Sequence, residues 1–186
     1  MSAVEPLPSF SFEEFLKLEQ VGQDRHEWVA GRVYVMAGGT ERHALLSQML
    51  FRLLDDAAEA EGCRAFVADR MLRTAEAAYY PDVMVTCGPA ENQHYETDAT
   101  WVVEVLSPST QTADRREKAA TYATLPSLRG YLLADPQDRT LVVGRNDSPG
   151  GWTWTAYLRG STMSFGGVEI DVDLLWTRLD ARASLP

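Results

Sequence analysis

The chain has 186 residues, 45% of them hydrophobic and 24% charged, with a formal net charge of −10. That composition fits one soluble globular domain with a substantial core, and no apolar run approaches the ~18 residues of a membrane span. So acidic a chain, with no basic run longer than Arg115-Arg116, is not built for strong sequence-independent binding of duplex DNA, which draws most of its affinity from lysine and arginine.

Taken in chain order, the acidic start Met1–Pro6 lacks the basic residues and apolar stretch of a signal peptide, and residues 1–10 are expected to be a flexible tail. Ser11-Phe12-Glu13-Glu14 is a capping box opening a helix with Phe12, Phe15, Leu16 and Leu18 on one side. His26–Met36 reads as a hairpin of strong β-formers turning at Ala30-Gly31. Gly38-Gly39-Thr40 breaks the chain and caps a long helix, with Leu45, Leu46, Met49, Leu50 and Leu53 at helical spacing, ending near Gly62. Residues 64–74, 81–87 and 100–106 read as strands, and the polar segment around Asn92-Gln93-His94-Tyr95 as a loop. A helix from Thr112 to about Thr124 is stopped by Pro126. Tyr131–Ala134 is a short buried strand, residues 140–143 and 152–158 read as antiparallel β, and a final helix runs from Asp171 to Arg178. Cys63 and Cys87 are expected as free thiols, which with the missing signal peptide predicts a cytoplasmic protein.

Two of these strands carry an acid where a hydrophobe belongs. Asp82 follows Pro81 at the start of Val83-Met84-Val85, and Glu104 lies inside Trp101-Val102-Val103-Glu104-Val105-Leu106. A carboxylate in such a run is costly unless it is paired or bound to a metal. Asp82 taken alone could merely cap a strand entrance, and Glu104 could pair with a buried arginine. Together they suggest a divalent-cation site in which Asp82, Glu104 and the Val105 carbonyl offer hard oxygen ligands suited to Mg²⁺ or Mn²⁺. The 112–124 helix sets Asp114, Lys118 and Tyr122 on one side. Lys118 is one of only two lysines, and it could orient a water or stabilise negative charge at such a site; an exposed Asp114–Lys118 salt bridge is its plainer role.

These residues carry a resemblance. Pro81-Asp82-Val83-Met84-Val85, then Val103-Glu104-Val105-Leu106-Ser107-Pro108-Ser109-Thr110, then Asp114, Lys118 and Tyr122 are similar to the PD-(D/E)XK phosphodiesterase superfamily, and more closely to a bacterial family of restriction-endonuclease homologues within it. Glu27-Trp28-Val29-Ala30-Gly31 and His43 also match that family's hairpin acid and downstream histidine. The likeness spans roughly residues 10–160. It implies an α+β, restriction-endonuclease-like fold: a mixed central sheet flanked by helices, here with additional antiparallel strands, in one domain over 1–186. It implies a Mg²⁺-dependent endonuclease acting on DNA, expected as a homodimer because cutting a duplex takes two active sites. The implied catalytic residues are Asp82, Glu104, Lys118 and Glu27, with Glu27 binding or orienting a metal or the lysine. The superfamily's lysine usually sits two residues after the second acid, where this chain has Leu106; Lys118 would reach the site from the next helix instead. His43, at the third position of its helix, could equally cap or pack, and the hydroxyls of Ser107, Ser109 and Thr110 read as helix caps. The rival readings are a catalytically inactive nuclease fold kept for protein contacts, with Trp152 and Trp154 as candidate interface, or a phosphodiesterase for RNA or a smaller substrate.

Overall fold

The computed structural model describes residues 9–36, 38–107, 113–148 and 151–185, with 113–116 and 147–148 by backbone alone. Most of the tail expected over 1–10, the turn through Ser109 and Thr110, and the side chain of Asp114 therefore lie outside the described residues. Among the described residues no helix is long and apolar enough to cross a membrane.

Helix α1 (Phe12–Val21) begins with the anticipated box: the Ser11 side chain accepts from the Glu14 amide while the Glu14 carboxylate accepts from the Ser11 amide. Strands β1 (His26–Val29) and β2 (Arg32–Val35) form the hairpin. Ala30 and Gly31 both hold positive φ, 47° and 84°, the conformation that joins two strands through a two-residue turn without splaying them. Helix α2 (Glu41–Ala60) is capped by Thr40, whose hydroxyl accepts from the His43 amide.

The segment expected as one strand over 64–74 is two. Ala68 and Asp69 take φ of 48° and 50°, which turns the chain between β3 (Arg64–Val67) and β4 (Met71–Arg73). Those strands join different sheets. One sheet has the order β2-β1-β5-β4-β7, with β5 (Ala77–Tyr79) and β7 (Tyr95–Glu96). The other is six-stranded, in the order β11-β10-β9-β8-β6-β3. It contains β6 (Val83–Thr86), β8 (Trp101–Val105), β9 (Gly130–Asp135), β10 (Thr140–Ser148) and β11 (Gly151–Tyr157). Within it β8 and β9 run parallel, linked across the sheet by α3 (Ala113–Tyr122), and the other pairs are antiparallel. The result is the mixed, helix-flanked α+β architecture anticipated. A further hairpin, β12 (Thr162–Phe165) with β13 (Val168–Asp171), leads into α4 (Val172–Ala183).

The pleat divides the six-stranded sheet cleanly. Val83, Val85, Val103, Val105, Leu132 and Ala134 face α2 and α4 and pack on Leu46, Leu50, Leu54 and Leu179. Met84, Val102, Leu106, Tyr131 and Leu133 face the other way, onto Tyr122 and Ala119 of α3 and onto Leu72 and Tyr79 of the smaller sheet. Helix α3 is therefore wedged between the two sheets. Helix α1 closes the far side of the small sheet through Phe12, Phe15, Trp28 and Tyr80.

Cys63 and Cys87 are not free thiols but a disulfide. The β3–β6 register pairs Arg64 with Thr86, so the residues just beyond that pair meet across the strands with Cα atoms 4.2 Å apart. Composition carried no trace of that register. Trp152 and Trp154 stack on each other at 5.6 Å on edge strand β11, the first partly buried against Tyr131 and the second 43% exposed.

Candidate active site

Glu104 is set by period-two geometry. Its neighbours Val103 and Val105 point to α2, so its own side chain points to the α3 side, where the Tyr122 hydroxyl donates to Oε1 at 2.9 Å. It is 9% exposed. Burial pushes its carboxyl up to about 8; Lys118 opposes that rise, and Asp82 and Glu27 add to it.

Asp82 stands where the ladder runs out. The β6–β8 pairing ends at Val83↔Val103, and one further step of that register sets position 82 opposite position 104. Leu106 donates its amide to Ala134 on the β9 side, so the preceding amide, of Val105, points towards β6. No β6 backbone carbonyl takes it; the Asp82 carboxylate does, with Val105 N–H donating to Oδ2 at 2.7 Å. Asp82 thus extends the sheet by a side chain and lands beside Glu104.

Lys118 comes from α3, beside Ala119 and Tyr122, which bury that face of the helix. It is 8% exposed; Nζ donates to Glu27 Oε1 at 2.7 Å, lies 3.7 Å from Glu104 Oε1 and sits over the Tyr79 ring at 5.2 Å. A single ammonium therefore joins a carboxylate of the small sheet to one of the large sheet. The exposed Asp114–Lys118 pair weighed from the sequence does not describe this burial.

His43 is the residue that sequence reasoning undervalued. Its Nε2 lies 3.2 Å from Asp82 Oδ2, and the hydrogen bond to that carboxylate raises its pKa above 6.5 against the opposing effect of burial. Gly39 makes room for it: a Cβ there would stand 2.8 Å from His43 Nδ1. The spacing from the Gly-Gly-Thr cap placed His43 in the first turn of α2, but nothing in it said that this turn ends beside Asp82.

Glu27, His43, Asp82, Glu104 and Lys118 all line one open cavity of about 470 Å³, with Tyr34 and Met36 of the hairpin forming a wall and Ser107 at its edge. All four residues expected to be catalytic are thus brought together, with the Val105 backbone among them. A divalent cation fits the chemistry of this set. Among the described residues no three His, Cys, Asp or Glu side chains form a protein-only metal cage. Mg²⁺ characteristically takes one or two carboxylates and fills its shell with water and phosphate oxygen, which is what Asp82, Glu104 and a carbonyl would leave open.

Comparison with known proteins gives a family and a fold. Residues 12–173 match the model of the Uma2 family, described as "Putative restriction endonuclease". Two uncharacterized Synechocystis proteins are similar in sequence. One, slr1290, is 31% identical over 180 residues, covering 94% of this chain and 95% of that protein; the other, sll1609, is 33% identical over 128 residues, covering 66% and 72%. In three dimensions the chain is similar to the crystal structure of "a putative nuclease belonging to DUF820" from Anabaena variabilis, with a TM-score of 0.75 at 16% identity over 91% of this chain and 99% of that one.

Proposed function

Because the chain belongs to the Uma2 family, we propose that it is a metal-dependent nuclease that hydrolyses phosphodiester bonds of DNA. In this reading Asp82, Glu104 and the Val105 carbonyl hold Mg²⁺ or Mn²⁺. When bound, the cation would lower the pKa of a water and offset the charge that builds on the phosphoryl oxygens.

The observation that carries the reading is the gathering of three carboxylates in one cavity. Among the described residues, Glu27, Asp82 and Glu104 meet there with Lys118 and His43, and burial, with Asp82 and Glu27 adding to it, pushes Glu104 towards its neutral form. A group buried at such cost, in a cavity, is a functional candidate. The remaining side chains have work to do around it. Glu27 holds Lys118 at 2.7 Å, so the ammonium is fixed within reach of Glu104 and can face a developing oxyanion without first reorganising. His43 and the Val105 amide fix the Asp82 carboxylate from two sides. Tyr122 fixes Glu104.

The test is nicking of supercoiled plasmid in Mg²⁺ or Mn²⁺ by the wild type and by the Glu104→Gln and Asp82→Asn variants, with calorimetric Mn²⁺ titration of each. Wild-type nicking and Mn²⁺ binding, both lost in the variants, support the reading. Full activity in both variants overturns it, and a wild type that binds no Mn²⁺ at millimolar concentration points to a non-catalytic module instead.

A further inference from the structure

We infer that the strand taken by this site is unpaired: the substrate is single-stranded DNA rather than a continuous duplex. The inference rests on the nuclease reading above and narrows it.

Three observations lead there. The first is the position of Tyr34. In the β1–β2 hairpin it is the direct cross-strand partner of Glu27. Such partners project from the same face with Cβ atoms about 4.5–5.5 Å apart. Glu27 reaches Lys118, and Tyr34 projects from the same face as Glu27 and lines the same cavity as Lys118, yet it is 48% exposed. An exposed aromatic ring beside a phosphate-handling centre is a surface on which a splayed base can stack. β2 is the outer strand of its sheet, so among the described residues no further strand borders it on that side.

The second is size. At about 470 Å³ the cavity falls in the range of sites for small ligands, ~300–1,000 Å³. A nucleotide and its phosphate can enter such a space. A paired double helix cannot, and would have to lie across the mouth with its scissile phosphate held away from Glu104 and Lys118, both nine-tenths or more buried.

The third is charge. Among the described lining residues, Glu27, Asp82, Glu104 and Glu117 stand against Lys118 and His43, and the whole chain carries −10. Duplex binding depends on neutralising many phosphates along two backbones, and an acidic cavity opposes this. Stacking on Tyr34 does not depend on the protein's net charge, so it can hold one nucleotide where a long electrostatic footprint is lacking. A single strand also needs only one cut, which removes the mechanical reason for a dimer.

The experiment compares Mn²⁺-supported cleavage of a labelled single-stranded oligonucleotide with that of its blunt duplex, using wild type, Tyr34→Ala and Tyr34→Phe. The single strand should be cut at least about tenfold faster. Tyr34→Ala should lose about 5- to 150-fold in kcat/KM on it, the equivalent of the ~1–3 kcal/mol that one stacked base contributes, while Tyr34→Phe keeps the ring and the activity. Thermal melting of each variant separates lost stacking from lost fold. A duplex cut as fast as the single strand, or a Tyr34→Ala protein that melts and cuts like the wild type, overturns the inference and leaves the nuclease reading intact. If the wild type binds no Mn²⁺ and cuts neither substrate, the nuclease reading falls and takes this one with it.

Discussion

Asp82 has two separable jobs, and two substitutions separate them. Its Oδ2 is the acceptor for the buried Val105 amide at 2.7 Å, and its charge is half of the proposed cation site. Asp82→Ala removes both. The orphaned amide then costs about 1–3 kcal/mol, the ordinary desolvation penalty of a buried donor. In a chain of this length each kcal/mol corresponds to roughly 2–4 °C, so the melting temperature should fall by about 2–12 °C. Asp82→Asn keeps an amide oxygen where the carboxylate stood and removes the charge that crowds Glu104. Its metal-free stability should therefore lie closer to wild type than that of Asp82→Ala, because relieved repulsion offsets weaker hydrogen bonds from the Val105 amide and His43. Mn²⁺ affinity, read by calorimetry, should fall at least about tenfold in both variants. If Asp82→Asn melts as low as Asp82→Ala, the Val105 bond is not what Asp82 contributes to the fold. If Asp82→Asn still binds Mn²⁺ like the wild type, Asp82 is not a ligand.

Three other outcomes follow from the same structure. Gly39→Ala puts a Cβ 2.8 Å from His43 Nδ1, so the ring must shift and its hydrogen bond to Asp82 weakens; in an NMR titration the raised His43 pKa should drop back towards 6.5, and an unchanged value would contradict the packing. Ala30→Asn supplies a residue that tolerates φ of 47° at the hairpin turn, recovering about half of the ~1–2 kcal/mol that an L-residue loses there, and denaturant unfolding should report the gain. Asp180 is held by Arg42 and Arg139, and the hydrogen bond from Arg42 leads in lowering its pKa from 3.8. A depressed folded-state pKa stabilises above the unfolded value and is lost as pH falls through the folded one. Asp180→Asn should therefore lower stability slightly at neutral pH, leave it unchanged at pH well below the folded pKa, and so flatten the acid limb below about pH 4, and an unaltered acid limb would refute the linkage.

What the sequence made legible was local. The apolar run Trp101–Leu106 marked Glu104 as an acid inside a core strand, and the Ser11–Glu14 box and the α2 periodicity located two helices from side-chain chemistry confined to a few neighbouring residues. What stayed hidden depended on partners far along the chain. Strand β5 is two alanines and a tyrosine, with no β-branched residue to mark it. The break at Ala68-Asp69 uses left-handed backbone without a glycine. The Cys63–Cys87 link needs the β3–β6 register, and the His43–Asp82 contact needs the docking of α2 on the sheet. The hairpin wall with Tyr34 was readable as a hairpin but not as the side of a cavity, because that depends on how the small sheet meets the large one.

In the proposed reading Lys118 stands in for a lysine that the resembling superfamily carries elsewhere. Leu106, at the position where that superfamily has its lysine, lies on the same sheet face as Glu104 and is buried among the residues that pack on α3. A cation there would reach Glu104 along the strand. Lys118 reaches it across the gap between sheets instead, and this requires α3 to be docked: Ala119 and Tyr122 seat the helix, Tyr122 also holds Glu104, and Glu27 holds the ammonium from the opposite sheet. The site therefore draws on both sheets, on α3 and, through His43, on α2 rather than on one strand. Loosening α3 would release the Lys118 ammonium and the Tyr122 hydrogen bond together, so Glu104 would lose two of the partners that fix its carboxylate. In this chain the integrity of the candidate centre is tied to the packing of one short helix, a dependence that a lysine at 106 would not have.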